Sequence, residues 1–173
     1  MYTLLLLERS INRIADVLGW IASTLFLLLV INVFYNVVMR YVFNQVSIGS
    51  QELEWHLFSA VFLLGIPYAL KTGGHVRIDV FYERWPQKIQ AVIDLLGCLI
   101  LLLPFSFLIF YFGLGFTQEA YQLGEGSGDP GGLPHRWVIK GMIPVSFLFL
   151  FLIGISKSLN AIQRLMSNDR IKE

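Results

Sequence analysis

Cysteine is nearly absent: Cys98 stands alone in 173 residues. No internal disulfide can form, and no cysteine-based zinc site can be assembled. Charge is scarce as well. Only 14% of residues are Asp, Glu, Lys or Arg, against about 25% in ordinary soluble domains. Thirteen basic residues nearly balance twelve acidic ones, for a net charge of +1. No basic excess points to nucleic acid. Disorder needs low hydrophobicity and high net charge, the reverse of this composition. What is abundant is apolar surface: 55% of the chain is hydrophobic, and its mean hydropathy is +0.64. The apolar residues come in long runs, which argues against a soluble globule and for an integral membrane protein.

A bilayer core about 30 Å thick needs about 20 helical residues to cross it. Val17 to Met39 and Leu95 to Gln118 carry no formal charge and are long enough. Trp55 to Leu70 and Gly141 to Ser156 are shorter, covering about 24 Å each at 1.5 Å per residue. They cross if Lys71, Lys140 and Lys157 snorkel and Glu54 sits among headgroups. Strands are disfavoured because a barrel needs alternating segments, and Leu25 to Ile31 (LFLLLVI) does not alternate. The expectation is an all-α integral membrane protein. It is one four-helix domain over residues 1–173, with spans at about 16–40, 52–71, 88–118 and 137–160.

Orientation is read from basic residues in the loops. Ten of the thirteen fall on the side of the termini and the second loop, and three on the other side. Both termini are therefore expected to be cytoplasmic. Trp20 and Trp85 would mark the inner boundary, Trp55 and Trp137 the outer one, where amphipathic rings settle. Leu4, Leu7, Ile11 and Ile14 recur at helical spacing, with Glu8, Arg9, Asn12 and Arg13 on other faces. Residues 2–15 are expected to form an amphipathic helix lying on the inner membrane surface. The alternative is a polar extension of the first span.

The inner loop, Thr72 to Lys88, mixes apolar and polar residues as an interfacial segment would. Pro86 suits the first turn of the third helix, where its missing N–H costs nothing. The second outer loop holds Gly124-Glu125-Gly126-Ser127-Gly128-Asp129-Pro130-Gly131-Gly132, a turn-rich, exposed connection. No Gly-Lys-Ser/Thr follows, so it is not a phosphate-binding loop. Pro67, Pro104 and Pro144 each stand singly within a span and suggest kinks.

Polar residues in a span face protein or water rather than lipid. Asn32, Asn36 and Arg40 recur every four residues in the outer half of the first span, forming one stripe. It serves a contact with another helix of this chain or with another subunit. Glu52 and Glu54 open the second helix at similar depth, so either can pair with Arg40. Gly154 and Ser158, one turn apart, suit close helix packing. His56 and His135 both fall near the outer surface, where two histidines on different helices can ligate haem. That leaves a haem-bearing membrane anchor of an oxidoreductase as an alternative, and a stand-alone channel or exporter as another. No nucleophile, base and acid come together in the pattern, and no ionisable residue sits at the centre of any span. The chain reads as an accessory or scaffold subunit rather than an enzyme, with no metal or cofactor.

Several stretches resemble a known family. Arg40-Tyr41-Val42-Phe43-Asn44 closes the first helix and Gln51-Glu52-Leu53-Glu54 opens the second. Gly65 follows, and then Ala69 to Asp79 (ALKTGGHVRID), in which Gly74, His75, Val76 and Asp79 fit an inner-loop pattern; Pro86 precedes the third helix. In this order the chain resembles the DctQ-type small membrane subunit of tripartite ATP-independent periplasmic (TRAP) transporters, over about residues 10 to 165. The resemblance implies a three-part importer of the bacterial inner membrane. A periplasmic binding protein captures a substrate, usually an organic acid. A large membrane subunit moves it, driven by an ion gradient. The small subunit enlarges the scaffold against which the large one works and helps dock the binding protein. The substrate and ion sites belong to the large subunit, so the resemblance assigns none to this chain.

Overall fold

The computed structural model describes residues 2–73 and 85–169. Over these residues the fold is helical, in four rods: α1 (Tyr2–Tyr41), α2 (Ile48–Thr72), α3 (Gln87–Gln122) and α4 (Trp137–Asp169). Each contains a segment long and apolar enough to cross a membrane. The family-pattern residues Gly74, His75 and Asp79 lie outside the described residues.

The N-terminal segment corrects the expectation. Residues 2–15 are not a separate helix lying flat; they run without a break into the first span. Forty residues at 1.5 Å each extend about 60 Å, roughly twice the hydrocarbon thickness. The apolar pattern of this segment is partly spent on the protein itself. Ile11 and Ala15 are buried against Leu70, Leu150 and Ile153. Lys71, at the end of α2, donates to the carbonyl oxygen of Asn12 at 3.1 Å and pairs with Asp16. Its ammonium thus ends on α1.

The helices form a row. α1 packs on α2, α2 on α4, and α4 on α3, while α1 also touches α4. A second buried cluster, Leu18, Ala22 and Leu64, is joined by Met142 and Phe149 of α4. Both clusters lie among α1, α2 and α4. Helix α3 rests on α4, and most of its circumference is exposed. Such exposure of Phe, Leu and Ile is what lipid-facing surface requires.

Local chemistry explains the helix ends. Ser47 caps α2 by accepting from the Ser50 N–H at 3.3 Å, filling one of the orphan donors of a helix start. Gly73 closes α2 with φ 77°, a left-handed turn that glycine adopts without penalty. Past α1, Asn44 takes φ 50°, which Asn tolerates better than most residues. The chain then curls back, and the Gln45 N–H reaches the Met39 carbonyl at 3.0 Å. Pro86 is the capping residue before α3 rather than part of its first turn.

The three prolines are accommodated differently. Pro67 and Pro144 sit inside continuous helices. Before Pro104 the chain widens into a π-helical turn, Gly97–Leu102, closed by the Leu103 N–H on the Cys98 carbonyl five residues back. A proline ring collides with the carbonyl four residues before it in a regular helix. The wider turn ends one residue ahead of the residue pair containing that ring, a usual place for such irregularity.

Candidate functional site at the outer-loop end

The 42–47 connection and the 123–136 loop lie at the same end of the row, joined through Glu52 in the second turn of α2. The Glu52 carboxylate is an acceptor for three groups. Ser127 donates its hydroxyl to Oε1 and Arg136 its Nη2 to the same oxygen at 3.0 Å, while the Leu133 backbone N–H donates to Oε2 at 2.6 Å. The acid side chain is 15% exposed, the arginine 39%. One carboxylate therefore gathers donors that stand 75, 81 and 84 residues further along the chain.

The loop is built to meet it. Its ends are tied by the Arg136 N–H on the Glu125 carbonyl at 2.9 Å, and its middle by the Ser127 N–H on the Leu133 carbonyl at 3.0 Å. The Ser127 hydroxyl also accepts from the Asp129 N–H at 3.1 Å. Gly132 is where the backbone passes closest. A Cβ there would lie 2.3 Å from Ser127 Oγ and 2.8 Å from Glu52 Oε2, so only glycine fits without displacement. Glu125 pairs with Lys140 of α4, whose ammonium also sits 4.1 Å from the centre of the Phe116 ring. Lys140 thus finds protein partners in Glu125 and Phe116. The glycine-rich loop is a folded cap rather than a loose connection.

The expected pairing of Arg40 with Glu52 or Glu54 is not what forms. Glu52 is committed to Arg136, and Glu54 accepts from Asn36 Nδ2 at 3.4 Å. Among the described residues Arg40 has no carboxylate partner. Asn32 and Asn36 both donate to the Ser50 carbonyl, at 3.0 and 3.2 Å. Two of the three stripe residues therefore fasten α1 to α2 within the chain. Gly154 and Ser158 are also internal. A Cβ on Gly154 would stand 3.0 Å from Leu102 and Leu103 of α3, and Ser158 donates back to the Gly154 carbonyl at 2.9 Å.

Sequence reasoning missed Ser127, Leu133 and Arg136 as partners of Glu52. It also missed Ser146, fully buried on α4, which donates across to the Leu63 carbonyl of α2. The available signal was an acid at the mouth of a span with a serine and an arginine bracketing a glycine-rich loop. Among the described residues no group of three His, Cys, Asp or Glu side chains is placed to hold a metal ion. His56 borders a cavity beside Trp55 at the Glu52 end, and His135 is exposed with φ 63°.

Comparison with known proteins gives a consistent picture. Residues 29–164 match the family described as tripartite ATP-independent periplasmic transporters, DctQ component. The sialic acid TRAP transporter permease protein SiaT of Haemophilus influenzae is 26% identical over 88% of this chain and 24% of its own length. The C4-dicarboxylate TRAP transporter small permease protein DctQ of Pseudomonas aeruginosa is 27% identical over 60% of this chain and 52% of its own. A putative TRAP transporter small permease protein of Haemophilus influenzae is 28% identical over 86% and 91%. The chain spans about a quarter of the first relative and about half of the second. The alternative of a haem-bearing anchor finds no support among these relatives.

Proposed function

This chain belongs to the DctQ component family of tripartite ATP-independent periplasmic transporters, and we propose that it is the small scaffold subunit of an ion-gradient-driven importer. In this reading it packs against a large permease subunit in the bacterial inner membrane, with both termini cytoplasmic. Its folded outer cap helps dock a periplasmic substrate-binding protein. The imported solute is an organic acid, the class to which the sialic acid and C4-dicarboxylates named for two relatives belong.

The observation that carries the reading is where the polar groups are. No span has an ionisable residue at its centre, where a charged solute would need one to offset dehydration. Asn32 and Asn36 of α1 and Ser146 of α4 are engaged in holding helices together. A polar assembly stands instead at one end, the Glu52-centred cap, which is a surface for another protein rather than a path through the membrane.

Reconstitution tests this. Proteoliposomes holding the large subunit and binding protein without this chain should fail to accumulate substrate. Full-rate uptake without it would overturn the scaffold role. Shortening Gly124–Gly132 should depress uptake while the membrane complex still purifies intact. Unchanged uptake would remove the docking part of the proposal and leave the scaffold part standing.

A further inference from the structure

Arg40 stands at the end of α1, after the uncharged run Val17 to Met39. That run is 23 residues, about 34 Å of helix, so it crosses the hydrocarbon and delivers Arg40 to headgroup depth. The guanidinium is exposed and has no carboxylate partner among the described residues. The two acids at its depth are engaged elsewhere, Glu52 by the outer cap and Glu54 by Asn36. Beside it is a small open niche of about 140 Å³, bordered by Tyr35, Gln45, Val46, Ser47 and Gln51. The connection that frames this niche exposes three apolar side chains: Val42 is 67% exposed, Phe43 59% and Val46 61%.

An uncompensated arginine fork, polar side chains around it and an apolar collar match one occupant in both chemistry and depth. We propose that the Arg40 niche binds a phospholipid of the adjoining leaflet. Its phosphodiester sits on the guanidinium, Val42, Phe43 and Val46 flank its glycerol backbone, and its acyl chains run toward the bilayer centre beside Val37, one turn before Arg40 and exposed. Arginine matches phosphate oxygens with two parallel N–H groups, which a point charge cannot do. A carboxylate from a partner protein would satisfy the charge but would leave the collar unexplained. The Arg40-to-Asn44 stretch is thus a lipid clamp. Its curl, set by Asn44 and by the Gln45 N–H on Met39, brings Gln45 beside the arginine.

The test is native mass spectrometry of the full chain released from nanodiscs of phosphatidylethanolamine and phosphatidylglycerol. Wild type should retain one tightly held phospholipid. Arg40→Gln should lower its occupancy about tenfold, the loss expected for a charge-assisted contact. Arg40→Lys should fall between. Arg13→Gln, at the other end of α1, should leave it unchanged. Val46→Asp alters an exposed position and supplies a counter-charge, so it should also displace the lipid. Equal lipid retention by wild type, Arg40→Gln and Val46→Asp overturns the proposal, as does equal loss from Arg13→Gln. Carbodiimide coupling of the Arg40→Lys side chain to another protein's carboxylate, in native membranes, would assign the niche to a protein partner instead.

Discussion

Glu52 and Arg136, 84 residues apart in sequence, meet at 3.0 Å between the mouth of α2 and the residue preceding α4. The arginine is one of three donors on that carboxylate, and the other two are rooted in the loop between α3 and α4. Removing the acid therefore strands donors instead of deleting a single contact. Glu52→Ala should loosen the cap more than Arg136→Ala does. Glu52→Gln should be intermediate, since an amide oxygen still accepts while its NH2 cannot. Limited proteolysis within Gly124–Gly132 reads this directly, with cleavage expected to rise in the order wild type, Gln, Ala.

Gly132 offers a steric version of the same test. Its absent side chain leaves room for Ser127 and Glu52, whereas a Cβ on Gly128 would meet nothing within 4 Å. Gly132→Ala should open the cap to protease, and Gly128→Ala should not. Equal sensitivity of the two variants would show that the close approach is unimportant.

Asn32 and Asn36 of α1 share one acceptor, the Ser50 carbonyl. Losing either leaves that oxygen still bonded to the other. Interhelical hydrogen bonds in membranes average about 0.6 kcal/mol. Asn32→Ala and Asn36→Ala should each cost about that or less. The double variant should cost more than their sum, visible as positive coupling in a detergent-unfolding cycle. Strict additivity would indicate that the bonds act independently.

Gly154→Leu should destabilise the isolated chain, because the added side chain enters space held by Leu102 and Leu103. Overpacking of this kind typically costs about 1–3 kcal/mol. Gly115→Leu on α3 has open space and should leave the melting temperature of the isolated chain nearly unchanged. Comparing the two by thermal melting separates packing inside the chain from packing against another subunit.

Topology is read by cysteine labelling in a Cys98→Ser background. Gly128→Cys, on the exposed part of the cap, should react with an impermeant maleimide in intact cells. Ser167→Cys should react only after lysis. Labelling of both from outside would overturn the cytoplasmic placement of the C-terminus.

The four spans were legible because run length can be set against bilayer thickness without knowing the fold. The Asn32–Asn36 stripe was legible as a contact, because amides at that depth need partners. The partner of Glu52 was not. Depth alone nominated Arg40, one loop away, whereas the donors come from a loop 75 to 84 residues distant. Only the row order of the helices brings them near. Residues 2–15 show the other kind of failure. Their apolar stripe was visible, but helical spacing does not say whether lipid headgroups or Leu150 and Ile153 will cover its Ile11.

The position of α4 has a consequence for synthesis. Of the four described helices it is made after the other three, and it touches all of them. As the chain emerges, α1 and α2 can pair, but among the described helices α3 has its main support only in α4. Both buried clusters stay incomplete until α4 arrives. A ribosome stalled after Gln122 would therefore leave a hairpin and a lone rod instead of three packed helices, a natural substrate for membrane quality control.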